Sequence, residues 1–209
     1  MKEYLDISWP ISNEITTYKD KKDVKVLQVK SFEKDNVNES KIELGNHTGT
    51  HIDAPLHFTK DGDSINKLDL RLVNGRCKVL DFTKVKEKIT SKDLESKKIE
   101  KGDIILLKTT NSSLESEGRF EPNFVYLEKS GAEFLIRIGV KCVGIDYLGI
   151  ERSQPEHETH VTLFKAGICI IEGLRLNKAD EDNEYYLHCM PLLITNVEAA
   201  PARAILVKV

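Results

Sequence analysis

Residues 140–174 read VKCVGIDYLGIERSQPEHETHVTLFKAGICIIEGL. The segment opens on a short apolar run, VKCVGID (140–146), and closes on another, ICIIEGL (168–174). Both have the length and composition of buried strands, and residues 157–166 between them carry helical spacing, with Gly167 placed as a C-terminal stop. The unit is a crossover: strand, helix, strand. Upstream, RCKVLDF (76–82) is strand-like, and Lys101-Gly102-Asp103 turns into IILLKT (104–109), an apolar run of buried-strand length. Between these, Thr90 or Ser91 can cap a short helix through SKDLESKK. The spacing of Leu127, Phe134, Leu135 and Ile138 predicts a helix over 125–138, ended by Gly139. Farther out, DVKVLQVKSF (23–32) and NESKIELG (38–45) alternate with a period of two and predict strands, as do LHCMPLLI (187–194) and ARAILVKV (202–209). Hairpins and crossovers therefore mix, with about three helices. That order predicts a mixed α/β (α+β) fold with a large mixed, barrel-like sheet flanked by helices. No repeat or linker interrupts it, so a single domain is expected over residues 1–209.

Composition narrows the function. Of 209 residues, 40% are hydrophobic and 31% charged, a globular balance, and the net charge of -3 gives no reason to expect nucleic acid or an anionic membrane as partner. The basic clusters Lys19–Lys22 and Lys84–Lys88 contain acids and read as solvated surface. No stretch approaches the ~18 apolar residues of a membrane helix, and MKEYLDISWP lacks the apolar core of a signal peptide. Cys77, Cys142, Cys169 and Cys189 form no C-x-x-C pair and read as buried free thiols of a reducing cytoplasm. A small-molecule substrate is the expected partner.

The chemistry concentrates in GNHTGTHIDAPLHF (45–58), which places His47, His51 and His57 within eleven positions together with Asp53. Gly45, Gly49 and Pro55 argue for an irregular segment off a strand end rather than a helix or central strand. His51 and Asp53, two apart, point the same way in extended chain. Imidazole nitrogens with a carboxylate suit zinc, manganese or iron(II). A second cluster joins His160, near a helix start, to Glu172 at the end of an apolar run. A carboxylate there is costly to bury unless it is paired; it either meets a metal or reaches solvent or Arg175. His157 reads as a surface residue or an outer partner of the site, His188 as a core or sheet histidine, and Trp9 as core or interface, with a place in the substrate pocket as the alternative.

The stretch HTGTHIDAPLHF resembles the H-x-G-T-H-x-D-x-P-x-H signature of the cyclase-like metal-dependent hydrolases, a family that includes bacterial kynurenine formamidases (arylformamidases) and isatin hydrolases. DISWPIS (6–12), GIDYLGIERS (144–153), the pair His160 and Glu172, and PLLITNVEAAPARAIL (191–206) resemble further family segments in order, so the likeness runs nearly end to end. It implies a swivelling β/β/α fold, a homodimer or higher homo-oligomer, and two divalent cations per subunit, zinc or manganese. It implies His47, His51 and Asp53 on the first metal, Asp53 bridging, His160 on the second, and Glu172 touching both. His57 matches the catalytic acid/base beside the metals, and Tyr18 an aromatic position against the substrate ring. The implied reaction is amide hydrolysis by a metal-activated water. N-formylkynurenine is the expected substrate, giving kynurenine and formate in tryptophan catabolism, with a cyclic amide of the isatin type as the alternative and a non-catalytic metal-binding module as a remoter one. Two departures stand out. ITTYKDKKD (15–23) lacks the prolines and glycine of the family's P-x-W-P-G-D segment, and NVEAAP (196–201) replaces its G-x-D-x-x-P.

Overall fold

In the computed structural model, which describes residues 3–209, the apolar runs assemble into a closed ring of strands. Met1 and Lys2, part of the expected domain and of the N-terminal stretch examined for a signal peptide, lie outside the described residues. In chain order the strands are β1 (Tyr4–Asp6), β2 (Lys25–Lys30), β3 (Glu39–Glu43), β4 (His51–Asp53), β5 (Asn74–Asp81), β6 (Lys88–Ile89), β7 (Ile104–Lys108), β8 (Tyr126–Leu127), β9 (Cys142–Ile145), β10 (Cys169–Glu172), β11 (Tyr185–Pro191) and β12 (Ala199–Lys208). The helices are α1 (Phe32–Asp35), α2 (Ser91–Glu95), α3 (Lys129–Ile138) and α4 (Glu158–Lys165). The main sheet runs β1-β12-β11-β5-β7-β9-β10-β4, and β4 pairs again with β12, so seven strands close a barrel that carries β1 on its edge. The β5–β7, β7–β9 and β9–β10 pairs are parallel and the other pairs of this sheet antiparallel, the mixed barrel-like α/β fold expected.

Strand parity explains the continuous apolar runs. In β7, Ile104 and Leu106 point into the barrel, whereas Ile105 and Leu107 point outward under the helices, so both faces are buried. The outer layer packs Leu94 of α2, Leu135 of α3 and Leu163 of α4 against those outward side chains. All four cysteines are free and fill the barrel interior. The Thr90–Asp93 capping box starts α2, and Gly139, at φ +83°, ends α3.

Two expectations need correction, and one holds with a qualification. The helix read over 125–138 starts only at Lys129: Tyr126 and Leu127 form β8 beside β6, and the Glu128 side chain accepts from Ser130 N as the N-cap. The alternating segments 23–32 and 38–45 do form strands, but β2 and β3 pair only with each other, in a hairpin exposed on both faces. Their period of two therefore marks extended chain without marking a buried face. Finally, His51–Asp53 is not irregular: Gly49 and Pro55 flank a three-residue strand instead of interrupting it, and that strand closes the barrel.

Candidate metal centre

The site forms where β4 lies between β10 and β12. Glu172 pairs in register with His51, and Asp53 pairs with Ile170 on one side and Ala199 on the other. Ile52 and Ile171 point into the barrel, so His51, Asp53 and Glu172 share its outer face. The two chains meet very closely beyond the strand ends. A Cβ on Gly173, at φ +69°, would fall 2.1 Å from Gly49 O, so only glycine admits this contact. Thr50 Oγ1 secures it, donating to Gly173 O at 2.5 Å and accepting from Trp9 N at 2.8 Å. The helix α4, packed on β10, lays His160 over the same spot.

Each carboxylate turns one oxygen to each of two imidazole sets. Asp53 Oδ1 lies 3.0 Å from His47 Nδ1 and 3.4 Å from His51 Nε2, and Asp53 Oδ2 lies 3.4 Å from His160 Nε2. Glu172 Oε2 lies 3.3 Å from His51 Nε2, and Glu172 Oε1 3.2 Å from His160 Nε2. Residues more than a hundred positions apart thus converge, all buried except His47, which is partly exposed. Most of these contacts are close without the alignment of hydrogen bonds. His47 Nε2, His51 Nε2, His160 Nδ1 and both Asp53 oxygens are buried without an aligned partner, five of the eight such side-chain atoms among the described residues. Three of these, His51 Nε2 and the two Asp53 oxygens, face into the cluster, and buried polar atoms that face one another without bonding have the arrangement of ligands around a common cation. The donor set fits a divalent metal ion.

The electrostatics agree. Burial alone would neutralise these groups, but their mutual charges win. The His51 pKa, pushed down by burial, is carried up to about 9 by Glu172 and Asp53, with Gly49 O assisting. His160 rises well above its ordinary value against the same burial, through Asp53, Glu151 and Glu172. Glu172, which burial and the charge of Asp53 would raise, is brought down to about 2 by His160 and His51. Asp53 also lies well below the usual carboxylate range: its burial is outweighed by His160, His47 and His51.

His57 stands beside this cluster on the 3-10 turn Pro55–His57, its ring centroid 4.2 Å from that of His47 and 6.0 Å from that of His160. Its surroundings act oppositely: burial, aided by the charges of His47 and His160, outweighs the carboxylates and lowers its pKa to about 4. Tyr18, His57, Phe58, Leu148 and Glu172 line a cavity of about 590 Å³, ample for an aromatic amide. Tyr18 packs edge-on against Phe120, and burial with the charges of Glu172 and Glu151 raises its phenol pKa.

Other residues fall differently. Arg175 does not pair with Glu172; it donates to Leu114 O and lies over the Trp9 ring, which is itself buried. His157 is at the surface, at the start of α4, with Nδ1 2.6 Å from Glu151 Oε1. His188 is a sheet histidine, as one of its two readings had it, and not a core one: it sits on the exposed face of β11 beside Tyr186, because Leu187 and Cys189 take the inward positions. Sequence reasoning missed Glu151 and Glu198. Glu151, inside GIDYLGIERS, reaches both His157 and His160, and Glu198, the acid of NVEAAP, lies 3.4 Å from His47 Nε2. The one available signal was a carboxylate inside each matched motif.

Comparison with known proteins gives a consistent picture. The family model described as "Putative cyclase" matches residues 5–152. A kynurenine formamidase of Bacillus mycoides (strain KBAB4) is 33% identical over 208 residues, 98% of this chain and 97% of the relative. A solved structure described as a potential metal-dependent hydrolase with cyclase activity superposes with a TM-score of 0.90 at 38% identity, covering 100% of this chain and 99% of its own. Isatin hydrolase A of Labrenzia aggregata shares the fold at a TM-score of 0.84 and 19% identity, over 99% and 93% of the two chains.

Proposed function

Because the chain belongs to the cyclase family of metal-dependent hydrolases, we propose that it hydrolyses an aryl formamide, converting N-formylkynurenine and water to kynurenine and formate. One observation carries the hydrolytic reading: the two oxygens of Asp53, and the two of Glu172, face separate imidazole sets, as bridging carboxylates between two cations do. We assign His47, His51, Asp53 and Glu172 to one ion and Asp53, Glu172 and His160 to the other, with zinc as the expected metal and manganese compatible with the same donors.

A divalent cation held there supplies Lewis acidity, polarising the scissile carbonyl and lowering the pKa of water from 15.7 in bulk towards ~7. The remaining chemistry belongs to the chain. His57 is neutral at pH 7 because burial holds its pKa at about 4, so one ring nitrogen is free to accept the proton of the attacking water. His57 then returns that proton to the anilide nitrogen as the C–N bond breaks; unprotonated, this nitrogen leaves poorly. Tyr18 and Phe58 offer aromatic walls to the substrate ring.

The exposed β2–β3 hairpin supports a homodimer. Leu27, Val29, Phe32 and Ile42 stand in solvent on it, an exposed apolar patch of the kind subunit contacts bury. Among the described residues, no helix is long and apolar enough to cross a membrane, and four free buried thiols suit the cytoplasm. Hydrolysis rates of zinc- and manganese-loaded protein on N-formylkynurenine and isatin test the assignment. A higher kcat/KM on isatin overturns the substrate, and inertness towards both, with metal bound, overturns the reaction.

A further inference from the structure

Each imidazole that crowds Asp53 and Glu172 turns its second ring nitrogen to an acceptor outside the cluster. For His51 it is Gly49 O at 2.9 Å, for His47 Glu198 Oε1 at 3.4 Å, and for His160 Glu151 Oε1 at 3.1 Å. Glu198 is partly exposed, whereas Glu151 is buried and held from several sides. We propose that Glu151 is a positioning residue of the second cation site: its carboxylate keeps the proton of His160 on Nδ1 and turns the Nε2 lone pair towards Asp53 and Glu172. The inference rests on the two-cation reading above.

The division of labour between the two oxygens supports it. Glu151 Oε2 accepts from Thr159 N at 3.0 Å and His160 N at 3.2 Å, anchoring the carboxylate to the first turn of the helix that carries His160. This leaves Oε1 for the rings, 2.6 Å from His157 Nδ1 and 3.1 Å from His160 Nδ1. The His160 Nδ1 approach is close at 3.1 Å, without the alignment of a hydrogen bond. His157 is stacked on Phe58 with ring centroids 4.2 Å apart, so Oε1 is held from its outer side by a ring that is itself packed. A carboxylate behind a metal-binding imidazole fixes its tautomer and raises its basicity, and removing such a partner typically costs ~10–100-fold in metal affinity.

A simple helix cap would leave metal affinity alone, which makes the two roles separable. Glu151→Gln keeps an oxygen for the backbone N–H groups but loses the charge that holds the imidazole proton. Zinc alone is titrated against a chromophoric chelator, and the Nδ1–H signals are read from 15N-histidine-labelled, zinc-loaded protein. The expected result is about 10- to 100-fold weaker binding at one of the two zinc sites, the other unchanged, and loss of a strongly downfield Nδ1–H signal that His160→Ala also removes. Unchanged zinc affinities in Glu151→Gln overturn the proposal while leaving the metal reading intact; a wild-type protein that binds no zinc overturns both. Should the variant fail to fold, the wild-type spectrum decides, since the absence of any downfield Nδ1–H signal that depends on His160 also overturns it.

Discussion

Replacing Asp53 with asparagine isolates one charge at the centre of the cluster while preserving its shape. The Asp53 side chain is 1% exposed and approaches three imidazoles at 3.0 to 3.4 Å, so no water compensates for the lost charge. Removing one partner of a buried charge set costs about 3–5 kcal/mol. At ~1.4 kcal/mol per tenfold, that is roughly 100- to 3,000-fold in cation affinity. Both ions are affected, because Oδ1 and Oδ2 face different imidazole sets. Asp53→Asn should therefore lose metal instead of merely slowing. The assay is plasma mass spectrometry of protein dialysed against buffered free zinc, joined to chelator competition for the affinities. Full occupancy with affinities within about threefold of wild type would refute the bridging geometry itself.

His57→Ala should keep its metals and lose ~10²–10⁴-fold in kcat, measured on protein of verified zinc content; wild-type turnover sinks the acid/base role. The chelator-stripped protein should be most stable near pH 6.5, read as Tm across pH. His51, with its pKa raised from 6.5 to about 9, loses its stabilisation as pH rises through that interval, whereas His57, lowered from 6.5 to about 4, and Glu172, lowered from 4.5 to about 2, lose theirs as pH falls through their own intervals. Zinc should abolish the alkaline loss, and a flat alkaline profile without metal contradicts the shifts. Gly173→Ala should destabilise by at least ~1–2 kcal/mol for its left-handed backbone alone, before the clash with Gly49 O, with zinc affinity falling in parallel; a neutral Tm would show that the contact is dispensable.

The chemistry was legible because it is written in local spacing. His51 and Asp53 share a face whenever the chain is extended, and a glutamate ending ICIIE must find a partner if buried; neither inference needs the topology. The apolar runs announced their strands for the same reason, since IILLK is buried on both faces and shows no alternation to misread. Legibility failed where tertiary pairing decides. Nothing local tells that β2 and β3 stand away from the barrel, or that three residues between Gly49 and Pro55 suffice for a strand once β10 and β12 flank them. The Tyr18 segment is harder still: Lys19, Asp20 and Lys22 adopt φ of 54°, 56° and 51°, a conformation disfavoured for such side chains and held by distant bonds such as Phe120 N to Asp20 Oδ1.

Barrel closure and ligand convergence are one event in this fold. The ring closes only through β4, which is three residues long and pairs on both sides. Two of those three residues are His51 and Asp53, and the neighbouring strand supplies Glu172 in register with His51. The apolar interior asks only for Ile52 at this seam, because the residues on either side of it point outward. The outward positions are therefore free to carry polar groups that a barrel core would exclude, while the pairing on both sides fixes them far more tightly than a loop could. The cavity wall proposed to face the substrate is built by the opposite logic, from the Tyr18 segment and the turn at Pro55–His57, which lie outside the barrel strands. The proposed ligands thus stand on a rigid seam, whereas ITTYKDKKD, which departs from the family segment it resembles, lies outside the barrel strands.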